Sequence, residues 1–189
     1  MPLLNALALA VFITVPAAPP LPRGNDDFQL GMLRAQVDSA VAARRLPVLS
    51  GGSAHLVCGS DDPAVEYEQY SFFTVPHGMT LLWKVTVGYR LATSPQALDG
   101  VRGALALRLG EPASDNGNGV APTSVSGAPL PPTARQVIWV DPFTAVQLAA
   151  RWGREDELKA DRMIVTWTDR RLQRLIEARR KQGKRGGGE

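Results

Sequence analysis

The clearest pattern in the chain is an alternation of apolar and polar side chains over residues 80–90. The odd positions are apolar or aromatic, and the even positions are mainly polar except for Leu82. Successive side chains of a strand point to opposite faces, so the pattern predicts a strand with one face on a core and one near water. We predict that Trp83 lies on the core face. Further strands are predicted over 65–75, 136–141, 144–152 and 162–168, with an antiparallel turn at Asp141-Pro142.

Two other segments have helical spacing. Over 31–45, Val37, Ala40 and Val41 form one apolar face. A second helix is predicted to begin at Ser94-Pro95, where Ser94 can act as the cap, and to end at Gly110.

The order of these elements predicts the fold class. Val37 and Val101 lie 64 residues apart, as do Val41 and Leu105. Each helix precedes antiparallel strands, which indicates a repeated unit. We therefore predict an α+β fold of two tandem helix-plus-antiparallel-sheet units, 28–92 and 93–169, followed by a basic amphipathic C-terminal helix.

The N-terminal residues 1–17 resemble a signal peptide. An apolar run of about a dozen residues is followed by small residues, with Val15 and Ala17 suited to a signal peptidase. We expect cleavage after Ala17 and a periplasmic or secreted product. A buried N-terminal helix and a retained membrane anchor are the alternatives.

Two stretches rich in Pro, Gly, Ser or Asn interrupt the pattern. Residues 18–27 are expected to be a linker, and residues 113–134 a mobile loop, because their composition buries too little apolar surface to offset chain entropy.

Charge is distributed unevenly along the chain. The net charge is +3, yet residues 170–189 carry eight basic and two acidic groups. We predict a basic helix in 170–182 and a disordered tail over 183–189. The apolar stripe Leu172, Leu175 and Ile176 is expected to dock on the domain. The alternative is an arm that binds an anionic surface through its cations, Arg174, Arg179, Arg180 and Lys181. Nucleic-acid binding conflicts with export and is not expected.

Candidate catalytic groups are few. One cysteine and two histidines leave little material for a metal centre, and the group His55, Cys58, Asp61 and Asp62 has no second ligand cluster. We expect Cys58 to be buried rather than a nucleophile paired with His77. Asp141 and Asp169 are predicted to form a turn and a helix cap. A small hydrolase using Glu66 or Glu68, His77 and Asp141 is the enzymatic alternative, and no cofactor is expected.

Aromatic side chains in the predicted strands offer a recognition surface. Trp139, Trp152, Tyr67 and Tyr70 are candidate partner-binding residues, because such side chains contribute strongly to interface energy. The alternative is that the tryptophans are core or edge residues.

Short motifs in the chain resemble those of SmpA/BamE-like periplasmic proteins. The helix entry is Phe28-Gln29-Leu30-Gly31-Met32, followed by Gln36-Val37, and Leu109-Gly110-Glu111-Pro112 resembles the sequence that closes the same helix. Tandem copies of a related unit build the β-lactamase inhibitor proteins. The resemblance implies an exported protein-binding protein. We therefore expect a non-enzymatic protein whose partner is another exported or envelope protein.

The export prediction has a direct test. Mass spectrometry of the periplasmic or secreted product should show a mature chain that begins at Ala18. An intact Met1 on protein recovered from the soluble cytoplasmic fraction would contradict it.

Overall fold

The structure is a computed structural model that describes residues 20–25, 27–90, 95–116, 134–151 and 163–185. The predicted signal peptide, most of the predicted loop 113–134, Trp152 and the last four residues lie outside these ranges. The elements, in chain order, are β1 (Gly24–Asn25), β2 (Phe28–Gln29), α1 (Arg34–Ala43), β3 (Val48–Gly51), β4 (His55–Cys58), β5 (Val65–Thr74), β6 (Thr80–Tyr89), α2 (Pro95–Leu109), β7 (Ser114–Asp115), β8 (Ala134–Val140), β9 (Thr144–Arg151), β10 (Met163–Asp169) and α3 (Arg170–Arg185).

Eight strands form one antiparallel sheet in the order β3-β4-β5-β6-β10-β9-β8-β7. Its centre is the pairing of β6 with β10, from Lys84 opposite Thr168 to Tyr89 opposite Met163. The prediction of two tandem helix-plus-sheet units is therefore wrong. An unpaired strand edge exposes backbone N–H and C=O groups, and β6 and β10 satisfy theirs by joining into a continuous sheet.

One face of the sheet carries the main core. Cross-strand rows on this face bring Val85 and Val87 of β6 beside Trp167 and Val165 of β10. Helices α1 and α2 supply buried side chains to the same core cluster, namely Val37, Val41, Leu98 and Leu105. Gly110 ends α2 with a φ of +80°, in the left-handed region that favours glycine, as the sequence predicted.

An irregularity in the β5–β6 hairpin places Trp83 where the alternation did not predict it. Ser71 pairs with Lys84, whereas the next residue, Phe72, pairs with Leu82. Trp83 is the extra residue, and such a bulge changes the face to which the following side chains point. Leu82 is consequently fully buried and Trp83 only half-buried, so the core assignment of Trp83 is wrong.

The segment predicted as a linker packs against the sheet. Leu21 is buried, and its N–H donates to Oδ2 of Asp141 at 2.7 Å. Arg23 forms an ion pair with Asp169 at the end of β10. The start of the described chain is thus tied to its second half.

Helix α3 follows β10 directly. It lies on the face opposite the main core, because its Arg179 lies over Phe73, whereas the preceding residue Phe72 points into the core. Asp169 caps it, since Oδ1 accepts the N–H groups of Arg171 and Leu172 at 2.9 and 3.0 Å. Leu172 and Ile176 are each 8% exposed, whereas Leu175 is 52% exposed. The docking prediction is correct for two residues of the stripe and wrong for Leu175, which points to solvent.

The helix also extends further than predicted. It reaches Arg185, so residues 183–185 are helical rather than part of a disordered tail. Among the helices that the structure describes, none combines the length and apolar character needed to cross a membrane.

The burial pattern of α3 predicts a difference between neighbouring leucines. Leu172→Ala should lower the free energy of unfolding by about 2 kcal/mol or more, because it removes buried methyl groups and leaves a cavity. Leu175→Ala should cost less than about 1 kcal/mol. Urea unfolding followed by circular dichroism measures both, and equal effects near zero would mean that α3 is not docked.

Candidate functional site

The most buried carboxylate in the central sheet is that of Glu68, which is 3% exposed. The hydroxyl of Tyr70 donates to its Oε2 at 2.5 Å, and the hydroxyl of Ser60 donates to its Oε1 at 2.8 Å. Arg44 is the C-cap of α1, and its Nη2 lies 3.6 Å from Oε1 of Glu68. Both carboxylate oxygens therefore have partners within the protein.

This cluster connects α1 to the sheet rather than forming an open pocket. Arg44 also pairs with Asp61, and its guanidinium lies over the ring of Phe28. The Phe28 ring in turn packs on Tyr70 with centroids 4.4 Å apart. Burial, together with the hydrogen bond to Glu68, raises the pKa of the Tyr70 hydroxyl far above its ordinary value. A neutral tyrosine and a paired carboxylate stabilise this junction, and neither is placed to reach a substrate.

The groups proposed for a hydrolase are not brought together. Glu66 is exposed. His77 lies in the turn after β5, and β5 ends at Thr74, six residues or about 20 Å beyond Glu68. Asp141 is occupied in the β8–β9 turn, where Oδ1 accepts the N–H groups of Phe143 and Thr144. Burial alone would raise the pKa of Asp141, but these hydrogen bonds and that from Leu21 lower it overall.

The predicted structural roles of the two aspartates are confirmed. Asp141 orders a hairpin turn and Asp169 caps a helix. Among the described residues, no group of three or more His, Cys, Asp or Glu side chains could hold a metal ion. His55 is exposed at the start of β4, whereas Cys58 is fully buried at its end.

The aromatic candidates are divided between the core and the other face. Tyr70 is fully buried and Trp139 is 1% exposed, with its Nε1 donating to the carbonyl of Gly110 at 2.8 Å. Neither can contact a partner in this fold, so both assignments are wrong. Strand pairing places their side chains among the apolar residues of the core face. Trp152 lies outside the described residues.

Tyr67 alone among the described aromatic candidates lies on the face opposite the core. Its ring crosses β6 at Gly88, where a Cβ atom would come within 2.3 Å of the ring. A glycine is therefore required at position 88, and Tyr67 remains half-buried.

The cations predicted to bind anionic surfaces take three different positions on α3. With 100° between successive residues, Arg174 and Lys181 lie on the side opposite Leu172 and Ile176. Arg179 instead turns toward the end of β5, where Nη1 lies 3.4 Å from the carbonyl of Thr74 and the guanidinium lies 5.9 Å from the Phe73 ring. Arg180 is exposed beside Lys84, whose pKa is lowered by burial and then by the charge of Arg180.

The outer side of α3 is rich in positive charge, and Glu177 is the one acidic side chain of this helix. Arg171, Arg174 and Lys181 are exposed and form no ion pair with an acidic side chain of the described residues. Glu177, the acidic residue of this helix, accepts a hydrogen bond from Gln173 at 2.9 Å. This row of cations is the strongest surface feature for recognition.

Two members of this surface, Arg171 and Phe143, were not among the candidates named from the sequence. The guanidinium of Arg171 lies 4.3 Å from the ring of Phe143, which is 39% exposed in the β8–β9 turn. The N–H of Arg170 donates to the carbonyl of Phe143 at 2.9 Å, which brings the turn against the first residues of α3. The Asp141-Pro142 turn and the Asp169 cap were visible in the sequence, but their contact depends on the pairing of β9 with β10.

The buried setting of Cys58 predicts that its thiol reacts slowly in the native protein. Burial raises its pKa and the carboxylate of Glu68 raises it further, so little thiolate is present at neutral pH. Reaction with a disulfide reagent at pH 8 should be about tenfold or more slower in the native protein than in urea. Equal rates would show that Cys58 is accessible.

No family model matches the chain, and the searches of curated proteins and of solved structures found no match.

Proposed function

We propose that the chain is an exported, non-enzymatic protein that binds another protein through the outer side of α3. The observation that carries this proposal is the docking of α3. Asp169 fixes its first turn and the buried Leu172 and Ile176 fix its inner side, so Arg174 and Lys181 are presented on a rigid element. A preorganised surface loses less conformational entropy on binding than a flexible arm does.

The use of the acidic groups supports a binding role over a hydrolytic one. Catalysis by an acid–base pair requires the groups to converge on a site that a substrate can reach. Glu68 is enclosed by Tyr70 and Ser60, Asp141 holds a turn, and His77 lies at a distant exposed turn. No observation on the described residues favours the hydrolase.

The orientation of α3 also supports a protein partner over a membrane surface. An amphipathic helix that lies in a bilayer interface buries its apolar side in lipid. Here that side, Leu172 and Ile176, is already buried against the domain. The export component of the proposal rests on the signal-like pattern of residues 1–17.

Site-specific photocrosslinking tests the proposed function. A photoreactive amino acid at position 178, an exposed alanine between Arg174 and Lys181, should give a discrete crosslinked product that protease treatment destroys. The matched control is position 104, an exposed alanine on α2, which should give no such product. The chain is produced at native level in its own cells, and the product is followed by mass spectrometry.

Three results would contradict the proposal. They are crosslinks from position 178 to lipid or nucleic acid alone, equal products from both positions, and turnover of a substrate that Glu68→Gln abolishes.

A further inference from the structure

We infer that the partner surface is acidic and contributes an apolar side chain to the same contact. The inference rests on the proposed function and deepens it, because it specifies the chemistry of the partner. The surface concerned, called the α3 patch, consists of Arg171, Arg174, Leu175 and Lys181 on the helix and Phe143 beside it.

The spacing of the cations in the α3 patch suits a row of carboxylates. Arg174 and Lys181 are two helical turns apart, about 10 Å along the axis, and Arg171 lies one turn before Arg174. Carboxylates on successive turns of a partner helix have the same spacing. Arginine also presents a planar fork of N–H donors that a carboxylate can accept in pairs.

The apolar members of the α3 patch distinguish it from a general electrostatic surface. Leu175 is largely exposed and lies one helical turn from Arg171, whose guanidinium in turn covers part of the Phe143 ring. A leucine that is 52% exposed next to cations contributes little to the stability of the isolated domain. In a protein interface, an apolar contact at this point would be surrounded by charge pairs, the arrangement expected for a contact that excludes water.

These features favour carboxylates of a protein over the phosphates of lipid or nucleic acid. A phosphate backbone binds cations without needing an apolar neighbour, so Leu175 would gain nothing from it. The inner apolar side of α3 is unavailable for insertion into lipid because Leu172 and Ile176 are buried. An acidic protein surface with an apolar side chain uses both components of the α3 patch.

Binding of designed peptides tests the inference directly. The probe is a fluorescent helical peptide with glutamates on successive turns and one leucine beside them. Its matched forms carry serine for the leucine or glutamine for the glutamates. Phosphatidylglycerol vesicles and double-stranded DNA are the comparison ligands, and affinity is measured by fluorescence anisotropy, or by sedimentation for vesicles, at several salt concentrations.

The Glu/Leu peptide should bind, and Arg174→Glu should weaken it about tenfold or more through charge repulsion. Arg90→Glu makes the same charge change at an exposed position just after the C-terminal end of β6, and it should have little effect on the affinity for the peptide. Leu175→Ser should weaken binding of the leucine peptide several-fold and leave binding of the serine peptide unchanged. Higher salt should weaken binding of the leucine peptide without abolishing it.

Equal binding of the leucine and serine peptides would overturn the inference, as would tighter binding to vesicles or DNA than to the Glu/Leu peptide. Absence of peptide binding, while position 178 still crosslinks to a protein, would overturn the partner chemistry and leave the proposed function standing. Loss of the protein crosslink would instead contradict the proposed function.

Discussion

The antiparallel pairing of β6 with β10 is the interaction on which the rest of the structure depends. It joins the strands before α2 to those after it and aligns Val85 and Val87 with Trp167 and Val165 in one core. It also orients the end of β10, because the ladder with β6 runs to Thr168 and the next residue, Asp169, pairs with Thr144 of β9. Since Asp169 is both the last residue of β10 and the cap of α3, the pairing of β10 with its two neighbours sets where the basic helix starts.

Buried or half-buried charges connect segments that are distant in sequence. Glu68 joins β5 to the end of α1 through Arg44, and Asp169 joins β10 to the N-terminal segment through Arg23. Asp141 receives the N–H of Leu21 while it orders its own turn. Removing one partner from such a contact leaves a desolvated polar group unsatisfied, which costs more than the contact contributes in net stability. These acids therefore act in the architecture of the protein.

Helix α3 has different roles on its two sides. Leu172 and Ile176 attach it to the domain, while Arg174 and Lys181 remain without acidic partners in the described part of the chain. A basic row on an undocked arm would be drawn to any polyanion by charge alone. Docking fixes the spacing of the cations and places Phe143 and Leu175 next to them, which gives the surface a shape as well as a charge.

The sequence by itself determined the local elements. Alternation predicted β6 over 80–90, and the Asp141-Pro142 turn predicted the hairpin of β8 with β9. Turn and cap chemistry predicted the roles of Asp141, Asp169 and Gly110. Such signals are local because side-chain periodicity and capping involve residues within a few positions of each other. Only the tertiary structure decided that one sheet forms instead of two, that a bulge moves Trp83 off the core face, and that Trp139 and Tyr70 are buried while Leu175 is exposed. Each of these depends on which distant strand or helix lies opposite a side chain, and the spacing of residues along one segment carries no information about that partner.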